Sequence, residues 1–360
     1  MAYIPSTTHI TLLATLRRER LLPIPGDVLV AAGQRVETGD VVARAEAHTS
    51  HRLVDVARAL GVAREKAAAF LKKEEGAPVK KGELVAARKG LLGLGAQTVT
   101  APVDGRLLFC DHGQALFAAT APLELRAGLP GTVVSVVSGR GLLIETTGAL
   151  LEGLWGNGRE DFSVLRVLGG TPEAALIGEW LEPSLRGAIL AAGCVTDAAA
   201  LKAVQEVGAR GVILGSAPVA LLPALQALPC PVLITDAFGS GGFSAPAYAL
   251  LSGNTGREVW LNAQPADRTT GARPEAIIPL PAGREPPPPP LEGEPLQAGK
   301  RVRVVRGPEA GLVGTLIGLS EHPVAIANGL RTHVAAVALE TGPGARPTVT
   351  VPFANLELLE

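Results

Sequence analysis

Apolar and polar positions follow two different patterns along this chain. Between residues 187 and 263, short apolar runs recur: Ala188-Ile189-Leu190-Ala191-Ala192-Gly193, Gly211-Val212-Ile213-Leu214-Gly215, Pro231-Val232-Leu233-Ile234-Thr235-Asp236 and Glu258-Val259-Trp260-Leu261-Asn262. Connections of about a dozen residues join them, one with helical patterning over 196–207, and such runs mark parallel strands buried on both faces. Residues 169–263 are therefore predicted to form a parallel α/β domain. Elsewhere the runs are shorter and broken by turns. Thr132-Val133-Val134-Ser135-Val136-Val137 and Gly141-Leu142-Leu143-Ile144-Glu145 flank Ser138-Gly139-Arg140 as a hairpin. Lys300-Arg301-Val302-Arg303-Val304-Val305-Arg306 alternates basic and apolar residues, the pattern of a strand with one wet, positive face. Residues 1–25 give no clear fold signal.

A repeat organises the region 26–168. Residues 33–43 and 76–86 both spell Gly-x-x-Val-x-x-Gly-acid-x-x-Ala, 43 positions apart. The pattern implies a tight turn with glycine at positive φ, followed by a strand. Gly39 and Gly82 are expected in equivalent turns of one barrel. The segment Ala101-Pro102-Val103-Asp104-Gly105-Arg106-Leu107 closes the set. Between the repeats, residues 52–75 read as a helical hairpin around Gly61. Leu53, Val56, Ala57 and Leu60 form one face, and Ala63, Ala67, Phe70 and Leu71 another. With Arg52, Arg58, Arg64 and Lys66 it looks superficially like a helix-turn-helix DNA reader, but a packed insert is the plainer expectation.

At the repeated turns and the Ala-Pro-x-x-Gly return, this region resembles the barrel-sandwich hybrid of biotinyl and lipoyl carriers, a barrel also built into larger assemblies such as RNA polymerase. The position of the carriers' modified lysine falls on Ala87-Arg88-Lys89-Gly90-Leu91, without the flanking methionines of a biotin acceptor. The resemblance therefore implies a structural barrel with no swinging arm.

Residues 264–295 read as a linker, because Glu285-Pro286-Pro287-Pro288-Pro289-Pro290 must be extended polyproline II. It is expected to be exposed. In the final module, 296–360, Gly299, Val302, Val304, Gly307-Pro308, Gly311 and Gly314, with the closing Val351-Pro352-x-x-Asn355-Leu356-Glu357-Leu358, resemble the KOW motif of SH3-like barrels in NusG-type transcription factors and some ribosomal proteins. The match covers about a sixth of the chain. It implies a protein or RNA partner in the transcription or translation machinery. Alternation would put Val302 and Val304 in the core and Arg301, Arg303 and Arg306 on an outer, partner-binding face. Replacing Arg301 and Arg303 by Gln would then leave folding intact.

Composition sharpens this in a few places. Only 3% of the 360 residues are aromatic, so the cores must be filled by Leu, Val and Ala. A net charge of −1 exerts no global pull toward nucleic acid or anionic membrane. Cys110, Cys194 and Cys230 form no CxxC pair, which fits a reducing, cytoplasmic setting. No signal peptide is expected from residues 1–20. The uncharged stretch 211–235 carries Pro218, Pro223, Pro229 and Pro231, which would break a membrane-spanning helix. A soluble protein is expected.

Candidate chemistry sits at the carboxyl ends of the predicted parallel strands, where open sheets hold ligands. Asp197, Ser216 and Asp236 fall there, followed by Gly239, Gly241 and Gly242, a set that would suit Mg²⁺ and a phosphate. A structural reading competes: Thr196 and Ser216 stand where helix caps stand, as does Ser244 before Pro246. No P-loop lysine or nucleophile elbow is present. His48 and His51 have a spacing that would place them on one helical face, but without a third ligand no metal site is expected. Asp111-His112-Gly113 reads as a turn, and Trp155 in the loop 154–159 as an anchor on a hairpin. No cofactor is expected.

The chain thus reads as multidomain β and α/β: a barrel-sandwich-like region, a parallel α/β domain and an SH3-like barrel. The leading function is non-enzymatic binding or scaffolding. The alternative is an enzyme or small-ligand binder at the sheet edge. What fills that edge discriminates the two: a deep pocket holding both aspartates favours chemistry, and an edge capped by side chains favours binding.

Overall fold

The computed structural model describes every residue except 1–2, 90–95, 268, 282, 284–286, 291–292, 341–346 and 360. The chain is mostly β, with several sheets. Its largest sheet has twelve strands. Val232–Phe238, Gly211–Ala217, Ile189–Val195 and Glu160–Val167 lie side by side in parallel, and the ladder then turns antiparallel through Glu258–Asn262, Glu275–Pro279, Gly141–Glu152 and Gly131–Val137. Three of the four predicted runs are parallel neighbours. The fourth, Glu258–Asn262, is instead antiparallel to Glu160–Val167.

Alternation sorts the parallel strands' side chains onto two faces. Leu190, Ala192, Val212, Leu214 and Ile234 pack with Leu201 and Val204 of the helix Ala198–Val207 and Leu225 of the helix Leu222–Ala227. Ile189, Ala191, Ile213 and Leu233 pack on the other side with Ala247, Leu250 and Leu251 of the helix Ala245–Gly253. With both faces covered, every residue of Ile189–Val195 and Gly211–Ala217 is buried. Each large aliphatic side chain so buried contributes about 1.5–3 kcal/mol, which is how a core nearly free of aromatics is sustained.

The repeat forms two turns of the same local design. Asp40 N donates to Glu37 O (3.0 Å) while Glu37 N donates to Asp40 Oδ2 (2.8 Å). Forty-three residues on, Glu83 N donates to Lys80 O and Lys80 N to Glu83 Oε2, both at 2.9 Å. The expectation of one shared barrel core is corrected. Val36 and Val42 pack with Ala127, Val133, Leu142 and Ile144, whereas Val79 and Val85 pack with Val99, Leu107 and Phe117. The first glycine of each copy takes the left-handed backbone, Gly33 at φ +84° and Gly76 at φ +80°; of the second glycines Gly82 does so too (φ +84°) and Gly39 does not.

A long antiparallel ribbon, Val41–Asp55 against Gln114–Arg126, links the two cores. Leu53, His48 and His51 lie on this ribbon rather than on a helix. The insert then begins with the helix Val56–Leu60, capped by Asp55 and closed by Gly61 at φ +59°, and continues as a 3-10 turn, Arg64–Phe70. Lys89 is exposed beyond the strand Leu84–Arg88, while Gly90 and Leu91 lie outside the described residues.

The first residues and the predicted linker both differ from expectation. Ile10–Leu21 pairs along Gly141–Glu152, and Thr7–Thr8 pairs in parallel with Leu356–Leu359 at the far end of the chain. Within 264–295, Glu275–Pro279 is a strand of the large sheet with Ala276, Ile277 and Ile278 buried. Pro288 and Pro289 are exposed, as expected of the proline run, but the run also docks through its carbonyls: Thr15 Oγ1 donates to Pro287 O (2.6 Å) and Thr15 N to Pro288 O (3.3 Å). A proline run has carbonyls but no N–H groups, so it can accept from a strand edge without extending the sheet.

The C-terminal module is a six-stranded sheet in the order Thr7–Thr8, Leu356–Leu359, Arg301–Val304, Val313–Leu319, Val334–Leu339, Thr348–Pro352. Val302, Val304, Leu316, Val337, Leu356 and Leu358 form its core.

Candidate functional site

The carboxyl edge of the parallel sheet is where a ligand was expected, and side chains and backbone of the same chain occupy it. Asp236, near the end of Val232–Phe238, is buried. Arg303 reaches it from the C-terminal sheet: Nη1 donates to Asp236 Oδ1 (3.0 Å) and to Thr235 O (2.7 Å), and Nε donates to Glu357 Oε1. Its Nη2 lies against the same Glu357 oxygen as an ion pair without hydrogen-bond geometry. Arg273 adds a second cation, 3.5 Å from Glu357 Oε2, and donates to Thr8 Oγ1 at 2.7 Å. Thr235 Oγ1 donates to the remaining Asp236 oxygen at 2.7 Å.

Arg303 is 0% exposed, and burial alone would weaken its hold on the proton. The adjacent Glu357 and Asp236 carboxylates outweigh that and raise its pKa. Two guanidinium groups facing two carboxylates leave the cluster neutral. A buried charge is tolerated only when paired and hydrogen-bonded in this way.

The placement of Arg303 corrects the sequence expectation of an outward-facing arginine. Alternation does separate it from Val302 and Val304, but the strand Arg301–Val304 is covered on both sides, by its own core and by the central sheet. Gly311, in the turn beyond this strand, is part of that docking, since a Cβ built there would stand 3.0 Å from the Ala237 Cβ. The three predicted arginines are therefore divided. Arg301 is half-buried and paired with Glu340 at 2.7 Å, with its Nε buried and unpartnered. Arg306 is exposed.

The predicted ligand residues are not gathered either. Asp197 is exposed and caps the helix Ala198–Val207, accepting from Ala200 N at 2.9 Å, so the cap is Asp197 rather than Thr196. Ser216 is a strand residue, not a cap, and its hydroxyl donates to Gly241 O. Ser244 does precede a helix, with Pro246 in its first turn, but its hydroxyl makes no capping bond. Gly242 and Gly215 permit close backbone approach: a Cβ would stand 2.2 Å from Pro172 O at the first and 2.4 Å from Gly242 C at the second. Phe243 N donates to Pro172 O at 2.9 Å, so this glycine-rich loop (Gly239, Gly241, Gly242) is pressed onto neighbouring backbone. The strands ending at Asp197 and Asp236 are separated by Gly211–Ala217, about 10 Å of sheet. Among the described residues, no group of three or more His, Cys, Asp or Glu is placed to hold a metal ion.

A second buried charge cluster lies nearby on the strand Ile10–Leu21 and its approach. His9 Nδ1 and Glu152 Oε2 are 3.0 Å apart, and Arg18 makes a bidentate pair with Glu275 at 2.7 and 2.6 Å. Burial pushes the Glu275 carboxyl above its ordinary pKa, with Arg18 opposing. Burial acts the same way on Glu152, but His9, with a smaller contribution from Arg273, overcomes it and holds that carboxyl low. A cavity of about 330 Å³ opens beside this cluster, bounded by Thr15, Arg17, Pro289 and Pro290.

Sequence reasoning missed His9, Glu152, Arg273, Glu275 and Glu357. Only Glu357 carried a signal, an acid between two leucines in a terminal strand. Trp155 packs on the core as an anchor would, but the expected hairpin is corrected: Trp155–Gly156 pairs with the distant strand Val232–Phe238, and the following Asn157 bridges Cys230 O and Val232 N. No helix among the described residues is long and apolar enough to cross a membrane. No known protein-family model matches this chain, and no curated protein does.

Proposed function

We propose that this chain is a non-enzymatic scaffold whose C-terminal module contacts a protein partner, within the transcription or translation machinery that its KOW-like residues suggest. One observation carries the reading: Arg303 caps Asp236, one of the two aspartates of the candidate ligand edge. Where it covers Asp236, this buried ion cluster leaves no room for substrate, and it ties the C-terminal module to the body of the protein.

The same observation favours protein over RNA. Of the three arginines expected on the partner-binding face, Arg303 is buried and Arg301 is paired, which leaves Arg306 to meet phosphate. The module does expose apolar side chains, with Ile317 at 53% and Leu330 at 63% exposure, alongside Leu319 and Val324. Large apolar groups in the open mark contact surfaces more often than phosphate-tracking ones.

The test is a pull-down from native extract with and without nuclease, using wild type and an Ile317→Ser/Leu330→Ser variant. A nuclease-resistant protein lost with the variant supports the reading. Capture abolished by nuclease, together with salt-dependent binding of a generic RNA by the purified chain, overturns it in favour of nucleic acid.

A further inference from the structure

We propose that His48 and His51 form a surface chelate for a borderline divalent cation of the Zn²⁺ class. In a regular strand, residues three apart point to opposite faces. Here the pairing runs His51 with Ala118, Ser50 with Ala119, then His48 with Thr120, so Thr49 is an extra residue opposite nothing. This bulge brings both histidines to one face of the ribbon, with Glu46 and Leu53.

The cross-strand partners on that face, Ala118 and Thr120, are small, and both imidazoles are exposed. Their rings stand edge-to-face with centroids 5.9 Å apart. Two imidazoles bound to one tetrahedral ion, each nitrogen about 2.0–2.1 Å from it, have centroids about 5 Å apart. Rotamer adjustment of exposed rings covers that difference. Glu46, on the same face, is balanced by Arg106, whose Nε and Nη2 both engage its Oε2 at 2.9 Å. No third His, Cys, Asp or Glu among the described residues joins the pair. The remaining coordination positions fall to water or an incoming anionic group, so the ion is exchangeable rather than structural.

The test is calorimetric titration of the full-length chain with Zn²⁺ and with Ni²⁺. His48→Ala, His51→Ala, His112→Ala and a Thr49 deletion are titrated alongside wild type, and circular dichroism confirms folding of each. One ion per chain is expected, weakened about tenfold or more by either ribbon alanine and unchanged by His112→Ala. Deleting Thr49 removes the bulge and leaves His48 and His51 two positions apart in a regular strand, still on one face, so a folded deletion should bind as wild type does. The idea is overturned by no stoichiometric binding, by unchanged affinity in His48→Ala and His51→Ala, or by a folded Thr49 deletion that no longer binds.

Discussion

The dipeptide Thr-Asp stands at the carboxyl end of two parallel strands of the central sheet, as Thr196-Asp197 and as Thr235-Asp236. The first aspartate is exposed and caps a helix; the second is buried beneath an arginine that arrives from 67 residues further along the chain. Local chemistry is the same at both places, since each carboxylate accepts hydrogen bonds at a strand end. What differs is the neighbour. Asp197 faces solvent, where a cap contributes about 1 kcal/mol. Asp236 faces a guanidinium in a buried junction, where the pair is costly to form and more costly to break. An aspartate at such an edge is a ligand candidate only when nothing else in the chain reaches it.

Breaking the buried side of this comparison should have the largest effect. Arg303→Gln leaves Asp236 and Glu357 facing each other with only Arg273 to offset them, and should destabilise the fold by about 3–5 kcal/mol. Arg301→Gln, two residues away on a half-exposed pair, should cost less than about 1 kcal/mol. Urea midpoints of the two variants measure the contrast; equal midpoints would mean that Arg303 is not held as described.

Next in size is the acid response of Glu152. Its folded carboxyl is held below the ordinary value, so its contribution is present above the unfolded pKa near 4.5 and is lost as pH falls below that. Glu152→Gln should lower stability at neutral pH and reduce the difference from wild type as the pH drops below about 4.5, read from thermal melts across a pH series. A constant offset at every pH would remove His9–Glu152 from the account of acid sensitivity.

Asp197→Ala tests the exposed member of the original pair and should cost about 0.5–2 kcal/mol, with the C-terminal module still docked. Resistance to limited proteolysis between residues 283 and 297 is the check, since cleavage there would mean that the cap and the junction are coupled. Smallest of all, Arg306→Gln should change stability by less than about 0.5 kcal/mol, because the side chain is exposed. A larger change in the urea midpoint would place Arg306 in the junction with Arg303.

Part of this was legible before the structure. The runs at 188–193, 211–215 and 231–236 determined a parallel sheet because strands buried on both faces tolerate almost no polar residue. The repeat determined two turns of one design, since valine, glycine and acid at fixed spacing fold locally. The strand Arg301–Val304 with Val302 and Val304 inward followed from a period of two. Each of these rests on interactions within a dozen residues. The tertiary structure decided the rest. Residues 1–25 carry a strand that pairs in parallel with the last one, a contact across the whole chain that no local pattern announces. The proline run met a strand edge and docked, because an edge with unpaired N–H groups accepts any carbonyl that reaches it. Arg303 turned from a surface residue into a buried one because a second sheet closed over its face. A sequence shows which side of a strand is polar. Whether water or another charge meets that side is settled only when the pieces assemble.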